Sequence, residues 1–307
     1  MPFLEQATKT KLAWFLVFIC PAFFSSNMIV ARGISGHFPP ISLAFLRWLL
    51  VGIVIMLALT ALRRLNIHLI RQEIRSILFL ASLGMGLCGG PVYLAGELTT
   101  ATNIGLIYSS APLLMAVMAF FVFKEHLNFN QSIGLFLGLV GVLVILVKAE
   151  LGLLLSLQFN LGDLWIVLAT FSFSIYSLGL KHLKTQLSQV QRFGAMALGG
   201  ALWHLPFVMM EIATRGPWPD VTPTILSALV VVVFFASIGA YLSYGFIVVY
   251  LGTAIASTTL YLSPIYAAVL AAVLLGEEIM PYHLIGGALI LPGLWLVSSG
   301  RRHQSPR

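Results

Sequence analysis

The amino-acid sequence predicts an all-α integral membrane protein of ten transmembrane helices, arranged as two inverted five-helix repeats with both termini cytoplasmic. Three observations carry that expectation. The 307 residues are 59% hydrophobic and only 9% charged, with a mean hydropathy of +0.99, whereas a soluble domain carries roughly 25% charged residues. In water so apolar a surface would associate; lipid tolerates it. Ten apolar runs approach or exceed the ~20 residues a helix needs to cross ~30 Å of hydrocarbon. Finally, residues 106–146 recur at 258–298, an offset of 152. The runs are long and do not alternate, which excludes an outer-membrane barrel built from segments of about 10 alternating residues.

The first run, 12–33, follows a short polar N-terminus. It is too long for a signal-peptide core and has no small-residue cleavage site, so it is read as a retained span. The runs 41–62, 76–96, 102–123 and 131–148 complete one half, and 161–181, 192–212, 224–249, 254–275 and 281–299 make up the other. Short polar or Pro/Gly segments separate them, such as Gly36 to Pro40 and Arg215 to Asp220. With the N-terminus inside, Arg32, Lys148 and Arg215 fall outside and Arg47 falls within a span, while the remaining thirteen of the 17 basic residues fall inside. Basic residues accumulate on the cytoplasmic side, so this distribution supports both termini inside. It also accounts for the net charge of +7 without a nucleic-acid partner, since no basic stripe with interleaved aromatics is present.

The repeat divides the chain into 1–150 and 151–307. Sliding one copy onto the other brings Pro112 onto Pro264, Glu125 onto Glu277, Gly134 onto Gly286 and Gly141 onto Gly293, and also Ser25 onto Ser177 and Arg32 onto Lys184. Each copy holds five spans. An odd number forces the second copy to insert upside down, the architecture in which two halves rock about a site at the bilayer midplane.

A proline within a helix, an apolar run ending in Gly or Lys followed by Glu, and a glycine-bearing helix occur twice: Pro112, Glu125, Gly134 and Gly141, then Pro264, Gly276, Glu277, Gly286 and Gly293. This pattern resembles the EamA-type members of the drug/metabolite transporter superfamily, with Lys124 standing where the family often has glycine. The resemblance covers nearly the whole chain. It implies ten helices, two pseudo-symmetric halves, export of small metabolites and a multi-pass location in a cell membrane, the bacterial inner membrane. Length and aromatic richness are similar to bacterial amino-acid exporters, the aromatic-amino-acid branch included.

Candidate cavity residues are the polar and aromatic groups at mid-membrane depth together with the two prolines: Ser25, Asn27, Tyr93, Tyr108, Pro112, Tyr176, Ser177, Tyr241, Tyr244, Tyr261 and Pro264. A mid-helix proline frees a carbonyl, which in lipid must find a partner or line a wet cavity. Aromatic faces with scattered hydroxyls suit an apolar or aromatic solute with a neutral or zwitterionic head; the competing role is interhelical hydrogen bonding alone. Gly84, Gly90, Pro91, Gly239 and Gly245 are candidates for close packing or bending. The acidic residues lie in loops or near span ends, with none at a span centre. Glu125 and Glu277 are read as structural, capping the next helix or pairing with a Lys or Arg. Arg47, about six residues into its span, is expected to snorkel to the interface, and Arg192 to anchor its helix.

No cofactor, metal site or catalytic group is expected. Cys20 and Cys88 sit in apolar runs, no His/Cys spacing suits a metal, and no polar triad lies at depth. The expected partners are a neutral or zwitterionic small molecule and membrane lipid, with the monomer as the working unit. The predicted activity is export of small organic metabolites, amino acids foremost, by alternating access as a facilitator or exchanger rather than a tightly ion-driven pump, with proton antiport through glutamates near the span ends as the alternative. The competing functions are a multidrug exporter for lipophilic cations, a membrane-embedded enzyme and a non-transporting sensor subunit.

Overall fold

The computed structural model describes residues 2–34, 36–99, 104, 107–148, 152, 160–275 and 279–299. Among them the regular structure is helical throughout. Helices α1 (Pro2–Ile34) and α2 (Pro40–Ala61) are followed by a short connecting helix α3 (Ile67–Gln72). Then come α4 (Ile74–Leu98), α5 (Ala111–Phe123), α6 (Phe129–Leu146), α7 (Leu161–His182) and α8 (Gln189–Arg215). Helix α9 (Pro223–Leu251), α10 (Thr253–Leu275) and α11 (Pro281–Ser299) complete the chain. Eight of these are long and apolar enough to cross a membrane: α1, α2, α4, α6, α7, α8, α9 and α11. Helix α5 is shorter at 13 residues, and α10 has 23 residues. Outward-facing apolar side chains such as Phe15, Leu57, Phe121, Met210 and Trp295, each more than 60% exposed, give the surface a lipid solvent requires.

The helix starts follow from local chemistry. Asn128 and Gln131 form a capping box at α6, and Asn160 and Asp163 form another at α7; each pair satisfies amides left orphaned in a first turn. Ser188 and Thr222 cap α8 and α9. Helix α2 opens on Pro39–Pro40 with no cap of its own. Glu211 of α8 supplies it, accepting from the Ile41 amide (3.1 Å), the Ser42 amide (2.7 Å) and the Ser42 hydroxyl (2.7 Å).

The contact between α6 and α11 shows how the halves relate. A Cβ added at Gly134 would meet the Gly293 carbonyl at 2.5 Å, and one added at Gly293 would meet the Gly134 carbonyl at 2.7 Å. At Gly141 and Gly286 the reciprocal values are 2.7 and 2.6 Å. Gly134 also faces Val297, and Gly286 faces Ile145. Each contact is thus exchanged by the 152-residue offset: 134 with 293 becomes 286 with 141, and 134 with 297 becomes 286 with 145. Such self-complementarity is the mark of a two-fold axis, and here it relates two parts of one chain through an antiparallel helix pair. Missing side chains let the two backbones touch.

A second symmetric feature lies in α4 and α9. Each is interrupted by a π-helical segment, Ser82–Leu87 in one and Val231–Gly239 in the other, and the same offset carries the first onto the latter part of the second. The glycine run led to an expected bend in α4. The matching irregularity in α9 ends on Gly239, one of the candidate bending residues, and otherwise falls on an apolar Val/Phe stretch.

Two further expectations change. Pro112 was placed mid-helix, but α5 begins at Ala111 after a turn at Ser109–Ser110. Pro112 therefore occupies a first turn, where its missing N–H removes no helical bond. Pro264 does lie inside α10. Gly276, Glu277 and the start of the 102–123 run lie outside the described residues, as does the side chain of Arg32.

Candidate functional site

At the centre of the molecule α1, α2, α4, α6, α7, α9 and α10 enclose a cavity of about 510 Å³, within the size range of small-molecule sites. Its mouth lies where α4 ends, at the exposed Gly96 and Glu97. Its walls are mostly apolar and aromatic, with Phe24, Phe173 and Tyr241 meeting in the interior. Phe24 and Tyr241 have ring centroids 5.8 Å apart, and Trp48 meets Tyr241 edge-on at 5.1 Å, arrangements that aromatic rings favour.

Of the predicted cavity residues, Asn27, Tyr93, Tyr108, Tyr241 and Pro264 line it. Tyr176, Ser177 and Tyr244 lie behind that wall, buried in the layer that closes the end away from the mouth. There the Tyr244 hydroxyl pairs with Ser177 at 2.8 Å and reaches Met115 Sδ at 3.7 Å, while Phe173 and Tyr244 rings pack at 5.2 Å. Ser25 does not line the cavity; its hydroxyl donates to the Pro21 and Ser263 carbonyls at 2.8 and 3.0 Å, joining α1 to α10. Tyr261 packs against Gly138, and Pro112 is buried and is not among the residues that line the cavity. The candidate bending glycines are sites of close approach: Gly84 to the Tyr176 ring, Gly239 to Phe23, Gly245 to Gln189. The Gly90 amide donates to His204 Nε2 at 3.0 Å, and Pro91 follows in the first turn of the last segment of α4.

Arg47 departs most from expectation. Instead of snorkelling to an interface it lines the cavity and is only 4% exposed. Its Nε donates to Ser237 Oγ (2.5 Å), its Nη1 to Asn27 Oδ1 (3.1 Å) and Tyr93 OH (3.0 Å), and its Nη2 to the Ala236 carbonyl (2.8 Å). The guanidinium also sits 4.6 Å from the centre of the Trp48 ring. The π-segment of α9 delivers both Ala236 and Ser237; π-bulges recur at functional sites for this kind of reason. Asn27 and Tyr93 belong to the first half, Ala236 and Ser237 to the second, so Arg47 bridges the seam.

The other buried ionic groups are engaged structurally. Arg192 donates to the Leu180 and Leu183 carbonyls (3.5 and 3.3 Å), holding the C-terminus of α7, where a cation suits the helix dipole. Asp163 accepts from the Asn160 amide and the Thr99 hydroxyl. At the mouth Glu97 is paired with both Nη atoms of Arg215, at 3.0 and 2.8 Å. At the far end Glu125 pairs with Lys181 and lies 3.0 Å from His182. This is the pairing expected of Glu125; the capping of α6 falls to Asn128 instead. Among the described residues no cluster of His, Cys, Asp or Glu could hold a metal ion, and both cysteines are free thiols.

Comparison with known proteins places this geometry in a family. The model of the EamA-like transporter family matches residues 11–147 and again 160–299. A Bacillus subtilis protein named uncharacterized transporter YetK is 23% identical over 305 residues, covering 96% of this chain and 91% of its own. A probable amino-acid metabolite efflux pump of Salmonella typhimurium is 24% identical over 303 residues, with 94% and 95% covered. An S-adenosylmethionine/S-adenosylhomocysteine transporter of Chlamydia trachomatis is 23% identical over 298 residues, with 93% and 89% covered. A solved crystal structure superposes with a TM-score of 0.73 at 21% identity over 97% of this chain and 99% of that one, a likeness of fold.

Proposed function

The chain belongs to the EamA-like transporter family and is a multi-pass membrane protein, and from that premise we propose that it exports small organic metabolites, amino acids foremost, by alternating access. The observation that carries the proposal is the central cavity of about 510 Å³, open at one end and closed at the other by a layer of buried aromatic residues. The similar Salmonella protein named an amino-acid metabolite efflux pump supports the choice of solute. The aromatic wall of Phe24, Phe173 and Tyr241 suits an aromatic or other large neutral side chain.

In this account ten helices cross the bilayer, α5 and α10 among them, with both termini inside. The mouth at Glu97 then faces outward. Rocking of the two halves brings the cavity from one side to the other. It must close the mouth and release Glu125 of the first half from Lys181 and His182 of the second. Both of these contacts are polar, so they can be remade without exposing a dry core. No carboxylate among the described residues lines the cavity except Glu97, which Arg215 neutralises. That favours a facilitator or exchanger over a tightly ion-driven pump, and it disfavours lipophilic cations as cargo.

The test is counterflow in liposomes containing the purified protein, loaded with unlabelled amino acids and challenged with labelled ones, with and without a pH gradient. Accelerated exchange of neutral amino acids independent of the gradient is expected. Failure of every amino acid alongside passage of cationic dyes would overturn the choice of solute, and failure of all solutes would overturn transport.

A further inference from the structure

We propose that Arg47, with the side-chain amide of Asn27, forms a carboxylate-binding site at the inner end of the cavity, and that the transported class is defined by a carboxylate on an apolar or aromatic body. The assignment rests on the transport reading above, because it names the part of the solute that the cavity recognises.

The argument starts from charge. Arg47 is a cation, is 4% exposed and forms no ion pair among the described residues. A buried charge held only by neutral acceptors is costly, and buried charges are ordinarily paired. The neutral partners Ser237, Asn27, Tyr93 and the Ala236 carbonyl fix the guanidinium in place without cancelling its charge. A carboxylate entering from the mouth would do so.

Hydrogen-bond valence points to the same chemistry. A guanidinium carries five N–H donors. Nε uses one, Nη1 uses two, and Nη2 uses one on Ala236, so one Nη2 hydrogen remains. Arg47 can only donate, so the atom of Asn27 facing it must be the oxygen; that oxygen also accepts from the Tyr93 hydroxyl at 2.7 Å. The orientation of the amide is thereby settled. Its NH2 group points away from Arg47 and has no hydrogen-bond partner among the described residues. An unused guanidinium N–H and a free amide NH2, both on residues that line the cavity, are donors for a carboxylate.

Helix α10, which also lines the cavity, offers the complement. Pro264 lies inside α10 and has no N–H to give to the carbonyl four residues earlier, that of Leu260; Leu260, Ser263 and Pro264 all line the cavity. An acceptor without its helical donor can hold an ammonium hydrogen. Phe24, Phe173 and Tyr241 line the same cavity. The set fits an amino acid with its carboxylate at Arg47, its ammonium toward α10 and its side chain against the rings.

The experiment is isothermal titration of the purified full-length protein in detergent with four probes of one ring size: 3-phenylpropanoate, L-phenylalanine, L-phenylalaninamide and phenethylamine. The first two are expected to bind, and the last two at least about tenfold more weakly. Arg47→Gln should weaken both carboxylates by about ten- to a hundredfold, the range for a lost charge-assisted hydrogen bond. Asn27→Asp is nearly isosteric and gives Arg47 an internal counter-ion, so it should fold even if Arg47→Gln does not, and should cost the carboxylates a similar factor while leaving phenethylamine no weaker. Amide and amine binding as tightly as the acids, carboxylate affinity unmoved in both variants, or no carboxylate binding at all would overturn the assignment. Titration needs no flux. Carboxylate binding without counterflow would therefore sink the transport reading and spare the site, and counterflow indifferent to the carboxylate would do the reverse.

Discussion

The glycine contact between α6 and α11 makes a quantitative prediction about symmetry. Gly134→Ala and Gly141→Ala, and their repeat equivalents Gly286→Ala and Gly293→Ala, each place a methyl group 2.5 to 2.7 Å from a backbone carbonyl of the facing helix. A carbonyl cannot rotate away as a side chain can. The helices must separate by several tenths of an ångström, loosening the contacts of Ile145 and Val297 as well. Overpacking of this kind costs about 1–3 kcal/mol, and each substitution should lower stability by that amount. Because the two-fold exchange makes 134 equivalent to 286 and 141 to 293, members of each pair should match within about 0.5 kcal/mol. Combining Gly134→Ala with Gly293→Ala should cost less than the sum, since one separation of the helices serves both methyl groups. Gly96→Ala, which meets nothing within 4 Å, is the control. Reversible unfolding in mixed micelles measures all of these. Equal stability of the four variants and the control, or a first-half variant mild where its partner is severe, would refute the symmetric packing.

Three other outcomes follow from the structure. Tyr244→Phe removes a buried 2.8 Å hydrogen bond to Ser177 and should cost about 1 kcal/mol in the same unfolding assay; no loss would mean that the aromatic floor does not depend on it. Lys124 stands at φ +57°, a conformation that costs an L-residue about 1 kcal/mol, so Lys124→Gly should be neutral or stabilising whereas Lys124→Val should be clearly destabilising; the opposite order would refute the left-handed turn. Val92→Cys, in a background with Cys88→Ala, should react with a membrane-impermeant thiol reagent added from outside and be slowed by L-phenylalanine, while Cys20, 0% exposed, stays inert; reaction only from the cytoplasmic face would reverse the assigned orientation.

Much of the architecture was legible because it is written in spacing. The offset that pairs Gly134 with Gly286 and Gly141 with Gly293 needs only the letters, and the structure turns it into an exchanged set of contacts. The departure at Lys124 acquires a reason, since that position takes a left-handed backbone that glycine adopts without penalty. The prolines show where such reasoning stops. Pro112 and Pro264 look equivalent, yet a turn at Ser109–Ser110 places one in a first turn and leaves the other inside a helix. Only the latter frees a carbonyl toward the lumen. Helical punctuation of that kind depends on tertiary fit, and so does the extent of the π-segment of α9, where Gly239 marks only its end and the valines and phenylalanines before it carry no local signal.

Arg47 was misplaced for a related reason. Counting residues from the end of a helix gives a depth, and a rise of roughly 9 Å over six residues is short enough for a long side chain to reach the interface. Depth says nothing about rotation. In the structure α2 turns this position toward α1, α4 and the widened turn of α9, where Asn27, Tyr93, Ala236 and Ser237 supply more hydrogen bonds than the interface could hold in fixed geometry. Three of those partners, Asn27, Tyr93 and Ser237, are polar residues that lipid would penalise. Their convergence on one cation, from both repeats, is a stronger sign of function than any of them taken singly. A cation held across the seam also sets a condition on movement. In the proposed mechanism the halves would have to rearrange bonds to it as they rock, and a solute that brings its own negative charge would ease that step where an empty cavity would not. Tight dependence of the conformational change on an anionic ligand is what an exchanger requires.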